Sequence, residues 1–147
     1  MTRRSVSMHP DRALEYVASA RRIGAARDLA VTAAVVDAAG HPVAVVRGSG
    51  DRWHGPYMAI GKARLAAAFR RTTADLLSAW ADRPLFAASL LRVLPEGVTL
   101  NPGGCPIFEN GECIGAIGVG GGSPKEDDEV ARSAVAEAGG SLSSDGA

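Results

Sequence analysis

The sequence has few cysteines, few aromatic residues and no excess of charge of either sign. Only two of its 147 residues are cysteine and 5% are aromatic, while 16 basic residues balance 16 acidic ones. Two cysteines cannot supply a disulfide framework, and a chain of this length can form a core without one. A net charge of zero predicts neither a nucleic-acid surface nor an anionic-membrane partner, and it permits self-association.

Long apolar runs are missing too. No run approaches the ~20 residues of a membrane span, and the arginines within residues 1–12 are not followed by an apolar segment of the export type. The three histidines share no spacing typical of metal ligands, so no metal site is predicted. These absences favour a cytoplasmic protein with one domain over residues 1–140 and a flexible tail at 141–147.

A glycine-rich hairpin at residues 105–122 is the strongest local pattern. Asn110-Gly111 separates two β-prone runs, and this residue pair tolerates the positive φ angles of a two-residue type I′ turn. Cys105 and Cys113 then lie on opposite faces of the sheet, so they cannot form a disulfide. The turn predicts three opposed pairs, namely Glu109 with Glu112, Phe108 with Cys113, and Ile107 with Ile114.

Five helices are predicted around this hairpin. Their expected positions are residues 11–29, 56–71, two segments within 73–93 divided at Arg83-Pro84, and a last helix that a capping box at 123–126 begins and Gly139 ends. Gly61 lies inside the second helix, where a glycine costs about 1 kcal/mol relative to alanine. We therefore predict a close crossing of another segment at Gly61.

The predicted strands are connected as hairpins. Residues 31–37 and 42–47 form one pair, and a short strand near 98–100 leads into the glycine-rich pair. Hairpins rather than β-α-β crossovers imply an antiparallel sheet. The sequence therefore predicts an α+β domain with about five strands flanked by helices.

These elements resemble a known family. The likeness lies in the hairpin GGCPIFENGECIGAIGVGGG, the strand pair VVDAAGHPVAVVR and the helix AIGKARLAAAF. From about Leu14 to Ala138 the sequence resembles the GlcG/HbpS family, which also contains the C-terminal domain of PduO corrinoid adenosyltransferases. The resemblance implies a profilin-like fold, homo-oligomers often built from dimers, and haem binding or degradation in some members. Two features differ from the family pattern: Cys105 replaces an aliphatic residue, and the loop GSGDRWHG replaces a Met-Asp-Gly-Ala-like sequence.

The loop GSGDRWHG and the helix after it contain the first candidate site residues. His54 precedes a helix N-terminus, which favours an anion such as a carboxylate, and the family usually keeps a lysine where this chain has Lys62. Together they can hold a haem propionate or act as base and acid. Trp53 and Tyr57 can form the wall of an apolar pocket. The alternative is that His54 and Lys62 are a surface histidine and a solvated lysine.

The two hairpins add three further candidates. Cys105 can supply a thiolate, as a nucleophile or an axial haem ligand, although a small buried hydrophobe is the other interpretation. Gly104, beside it, is a candidate cofactor contact. Asp37 is a possible acid, and its place at a strand end is the alternative explanation. The glycines of 118–122 do not form a dinucleotide fingerprint, because no β-α-β unit surrounds them.

Three functions remain open at this point. The resemblance implies a protein that binds haem or a similar acid-bearing small molecule, with His54 or Cys105 as axial ligand and Lys62 near a propionate. The alternative is a cofactor-free isomerase, lyase or cyclase of small-molecule or natural-product metabolism. In that enzyme His54 is the base, Lys62 the acid or anion holder, and Cys105 or Asp37 assists. The third is an oligomeric scaffold or ligand sensor without chemistry.

Overall fold

The computed structural model describes residues 7–146, which form four antiparallel strands and five helices. The elements in chain order are α1 Pro10–Ala25, β1 Thr32–Asp37, β2 Pro42–Val46, α2 Gly55–Phe69, α3 Thr73–Ala79, α4 Pro84–Val93, β3 Gly104–Glu109, β4 Glu112–Gly120 and α5 Pro124–Glu137. The predicted α+β class is confirmed. None of these helices is long and apolar enough to cross a bilayer.

The sheet has the order β2-β1-β4-β3, one strand fewer than predicted. The strand expected near residues 98–100 is wrong. Val98 and Leu100 pack instead in an apolar cluster with side chains of α2, α3 and α4. Thr99 between them crosses α2 at Gly61, where an added Cβ would lie 2.4 Å from the Thr99 Oγ1 atom. The close crossing predicted at Gly61 is therefore confirmed, and it leaves this segment without a neighbouring strand.

The β3–β4 hairpin turns at Asn110-Gly111 as predicted. Both residues have positive φ, 53° and 78°, as a type I′ turn requires. The predicted pairs Glu109–Glu112 and Phe108–Cys113 are confirmed. The predicted pair Ile107–Ile114 is wrong, because the register shifts after Phe108 and Ile107 pairs with Gly115. The extra residue, Ile114, is 2% exposed and joins the main core, so the irregularity adds an apolar side chain to that core.

The two sheet faces pack against different helices. The main core lies between the sheet and the pair α1 and α5, and it includes Cys105, Ile107, Ile117 and Val119. On the other face the alanines of α2 pack on Val36 and Ala116. Small residues let this helix approach closely: a Cβ added at Gly118 would lie 1.9 Å from the carbonyl oxygen of Ala59.

The predicted starts of α4 and α5 are confirmed, whereas the predicted end of α1 is wrong. α5 begins with the capping box, in which the Ser123 hydroxyl accepts from the Glu126 N–H and the Glu126 carboxylate accepts from the Ser123 N–H. Pro84 begins α4, as predicted from the division at Arg83-Pro84. α1 is shorter than predicted. It ends at Ala25 because Asp28 adopts a left-handed φ of 59° and the Leu29 N–H returns to the Gly24 carbonyl.

Candidate functional site

The loop before α2 brings a carboxylate to the start of that helix. Asp51 Oδ1 accepts a hydrogen bond of 2.8 Å from the Arg52 N–H, and Asp51 Oδ2 accepts one of 2.5 Å from the Thr32 hydroxyl. A Cβ at Gly55 would lie 1.8 Å from Asp51 Oδ2, so a side chain at this position would displace the carboxylate. The negative charge that a helix N-terminus favours is therefore supplied by the chain's own Asp51 rather than left to a ligand.

Next to Asp51, three aromatic side chains project from the loop and the first turn of α2. Trp53 is 74% and Tyr57 68% exposed. The Trp53 ring stands edge-on to His54, with centroids 5.4 Å apart, and to Tyr57, with centroids 6.2 Å apart. His54 is the N-cap residue of α2, yet its side chain makes no capping hydrogen bond. We refer to Trp53, His54 and Tyr57 as the aromatic cluster.

Lys62 is not part of this cluster. Its side chain is 4% exposed, and Nζ donates to the Val119 carbonyl at 2.9 Å and to Asp127 Oδ2 at 3.1 Å. Lys62 follows His54 by eight residues, which corresponds to about 12 Å along a helix. The structure thus places His54 on the surface and Lys62 in the interior, and it does not bring them together.

Asp127 is the residue that the sequence analysis missed. Its Oδ1 atom accepts from the Gly122 N–H at 2.8 Å, and burial raises its pKa against the opposing effect of the Lys62 ammonium. A signal for this partner was present. Lys62 lies among the buried alanines of α2, where a charge needs a partner, and Asp127 lies in the acidic first turn of α5.

The hairpin glycines pack around this ion pair. At Gly103, which has a φ of +120°, a Cβ would lie 2.5 Å from the Val119 oxygen and 3.1 Å from Lys62 Nζ. At Gly104 a Cβ would lie 2.4 Å from the Lys62 carbonyl oxygen. The backbone of α2 therefore occupies the space beside Gly104, the position predicted as a cofactor contact.

The remaining two candidates lie away from the aromatic cluster. Cys105 is fully buried in the main core, and burial raises the pKa of its thiol above the ordinary value. Both cysteines are free thiols, as predicted. Asp37 accepts from the Ala39 N–H at 3.0 Å and the His41 N–H at 2.9 Å, so it closes the β1–β2 turn. That turn is at the opposite end of β1 from Thr32, which contacts Asp51.

Comparison with known proteins agrees with the resemblance. A model of the haem degrading HbpS-like family matches residues 8–136. The chain belongs to this family. A crystal structure of a double mutant of HbpS from Streptomyces reticuli is 26% identical, with a TM-score of 0.81 over 92% of this chain and 90% of that one. The comparison with curated proteins gave no match.

Two more distant structures share the fold. The protein ORFY of Klebsiella pneumoniae is 23% identical, with a TM-score of 0.81 over 92% of both chains. The PduOC domain, solved as a complex with heme, is also 23% identical, with a TM-score of 0.82 over 94% of this chain and 99% of that one. The α+β architecture of this HbpS-like chain is therefore that of its family.

Proposed function

We propose that this HbpS-like protein binds haem, or a similar flat molecule that carries acid groups, at the aromatic cluster. The observation that supports this site is the exposure of Trp53 and Tyr57, 74% and 68%, beside His54, whose imidazole forms no capping hydrogen bond with α2. Exposed aromatic side chains can stack on a planar ring system and remove it from water. A histidine nitrogen is a common axial ligand of haem iron. The family match and the heme complex of a relative support the ligand class.

The residues present fit haem with one change from the sequence-based hypothesis. Lys62 was expected near a propionate, but its ammonium is buried against Asp127. Arg52 is exposed one position before Trp53, and we assign the propionate contact to it. A guanidinium can donate two parallel hydrogen bonds to a carboxylate. His54 would hold the iron, which supplies the redox chemistry of the bound group, while Trp53 and Tyr57 cover the ring.

Titration with haemin, followed at the Soret band, tests this function. The unaltered protein is expected to shift the band. The His54→Ala variant is expected to lose the part of the shift that arises from coordination of the iron by His54. His41→Ala is the matched control, because His41 is an exposed histidine in the β1–β2 turn and should leave the spectrum unchanged. Trp53→Ala and Tyr57→Ala should each weaken binding by about tenfold. The absence of any shift, or identical spectra for His54→Ala and the unaltered protein, would refute the proposal.

Cys105 provides a second discrimination. A fully buried thiol in the core between the sheet and α1 and α5 cannot reach a ligand at the aromatic cluster. Cys105→Ala is therefore expected to leave the haemin spectrum unchanged. The enzyme hypothesis requires His54 and Lys62 in one pocket, and no observation favours that arrangement. Homo-oligomerisation and a cytoplasmic location remain predictions.

A further inference from the structure

A cleft lies at the other end of α2 from the aromatic cluster. The helix has 15 residues, so the two places are about 21 Å apart along its axis. The cleft has a volume of about 550 Å³ and lies between the end of α2, the β3–β4 turn and residues 143–144. Small-molecule sites typically occupy ~300–1,000 Å³, so a ligand of several heavy atoms fits.

The segment that follows α5 forms one wall of this cleft. Ser141 exchanges two backbone hydrogen bonds with Phe108, of 2.8 and 2.9 Å. Further along, the carbonyl oxygen of Ser144 lies 3.5 Å from the position of a Cβ at Gly111. The wall is thus held to the edge strand β3 by hydrogen bonds and lies close to the hairpin turn.

Two residues of opposite charge line the cleft and do not form an ion pair with each other. Arg70, the C-cap residue of α2 with a φ of 54°, and Glu112, the first residue of β4, both line it. Neither side chain forms a hydrogen bond or an ion pair with another residue of 7–146. The neighbouring Glu109 differs, because its carboxylate accepts from Arg12 and from the Tyr16 hydroxyl. A guanidinium and a carboxylate are therefore both available to a ligand.

Two apolar side chains line the cleft together with these charges. Phe108 is 7% exposed and contributes to the cleft surface. Cys113 is half-buried beside it, and its thiol donates to the Gly115 carbonyl at 3.4 Å. Burial raises the pKa of this thiol, so it presents a neutral surface. A ligand that carries an apolar group beside an ammonium and a carboxylate would match this lining.

We propose that this cleft binds a small zwitterion of the α-amino acid type, with its carboxylate on Arg70, its ammonium on Glu112 and its side chain over Phe108 and Cys113. Arginine pairs with carboxylates through two parallel hydrogen bonds, and the carboxylate of Glu112 accepts from an ammonium. Both charged groups of the ligand contribute to binding, because the carboxylate pairs with Arg70 and the ammonium pairs with Glu112. This site is separate from the aromatic cluster and does not depend on haem.

Titration of 15N-labelled protein with L-leucine, followed by amide chemical shifts, tests the proposal. Leucine should shift the amides of Gly111, Glu112 and Cys113. 4-Methylpentanoate lacks the ammonium and 3-methylbutylamine lacks the carboxylate, so each should bind at least tenfold more weakly, as expected for the loss of one charge-assisted hydrogen bond. Equal affinity for leucine and either analogue would overturn the assignment, as would leucine leaving these amides unshifted.

Two variants with matched controls identify the charges. Arg70→Gln should weaken leucine binding at least tenfold, whereas Arg71→Gln, at the next arginine, which is also exposed, should not change it. Glu112→Gln should weaken it similarly, with Asp82→Asn as the exposed control. Equal losses in variant and control would refute the site. His54→Ala should retain full leucine binding, so failure of this proposal and failure of the haem proposal are distinguishable.

Discussion

Lys62 Nζ lies 3.1 Å from Asp127 Oδ2, and the two side chains are only 4% and 6% exposed. Through this pair α2, on one face of the sheet, is joined to the start of α5, which packs on the other. Removing both charges from water costs several kcal/mol, which is offset only when their remaining hydrogen bonds are also satisfied. The Val119 carbonyl and the Gly122 N–H supply those bonds. We therefore expect neither partner to tolerate loss of the other.

Lys62→Met is expected to lower the free energy of unfolding by about 3–5 kcal/mol, because it leaves the Asp127 carboxylate buried without its cation. Urea unfolding at neutral pH measures this. Lys125→Met is the control, since Lys125 is 87% exposed and a surface change of this kind costs less than ~0.5 kcal/mol. Similar losses for the two variants would contradict a buried, coupled ion pair.

The loss in Lys62→Met should depend on pH. Burial raises the pKa of Asp127 above the unfolded value, so the folded state binds this proton more tightly. The tighter binding of this proton stabilises the folded state fully below the pKa of Asp127 in the unfolded chain, about 3.9. This stabilisation is lost as the pH rises through the pKa of Asp127 in the folded protein. Without Lys62 the folded pKa rises further, so the destabilisation should be smaller at pH 5 than at pH 7.5. A pH-independent difference in urea unfolding would argue against this origin.

Gly118→Ala is expected to destabilise the fold by about 3 kcal/mol, because the new methyl group would lie 1.9 Å from the Ala59 carbonyl oxygen and backbone must move. Gly120→Ala on the same strand is the matched control. Its Cβ would meet nothing closer than Lys62 Nζ, at 4.0 Å. Thermal and urea unfolding of both variants check the difference, and equal stability would show that α2 and β4 are not packed backbone to backbone.

The two thiols should differ in reactivity. Burial raises the pKa of both, but Cys105 is fully buried whereas Cys113 is half-buried in the cleft. A disulfide reagent such as DTNB at pH 8 should therefore modify Cys113 slowly in the folded protein and Cys105 only after unfolding. Cys113→Ser should abolish the reaction of the folded protein, and Cys105→Ser should preserve it. The reverse pattern would place Cys105 at the surface.

Ser123→Ala removes the N-cap of α5 and should cost about 1 kcal/mol. The Ser123 hydroxyl accepts from the Glu126 N–H at 3.2 Å, and alanine leaves that donor without its partner. Ser133→Ala is the control, since Ser133 is an exposed residue within α5, where alanine is the better helix former. Urea unfolding should show a loss for the first variant only, and no loss at Ser123 would mean that the cap is dispensable.

The confirmed predictions depend on residues that are close together in the sequence, and the wrong ones depend on residues that are far apart. The turn at Asn110-Gly111 and the cap at Ser123 depend on neighbours within four residues, so composition and spacing sufficed to predict them. The register beyond Phe108 did not follow from the turn, because it depends on where Ile114 packs in the core. A short stretch of sequence does not reveal which distant element a side chain will pack against.

The candidate site shows the same limit. Propensity, periodicity and turn chemistry are local properties of the chain, so they sufficed to predict the α+β class, the starts of α4 and α5, the hairpin and the family. The pairing of Lys62 with Asp127 rather than with His54 became visible in the folded chain, as did the position of the Asp51 carboxylate at the start of α2. A charge is paired or exposed according to which elements pack over it, and that packing joins residues far apart in the chain.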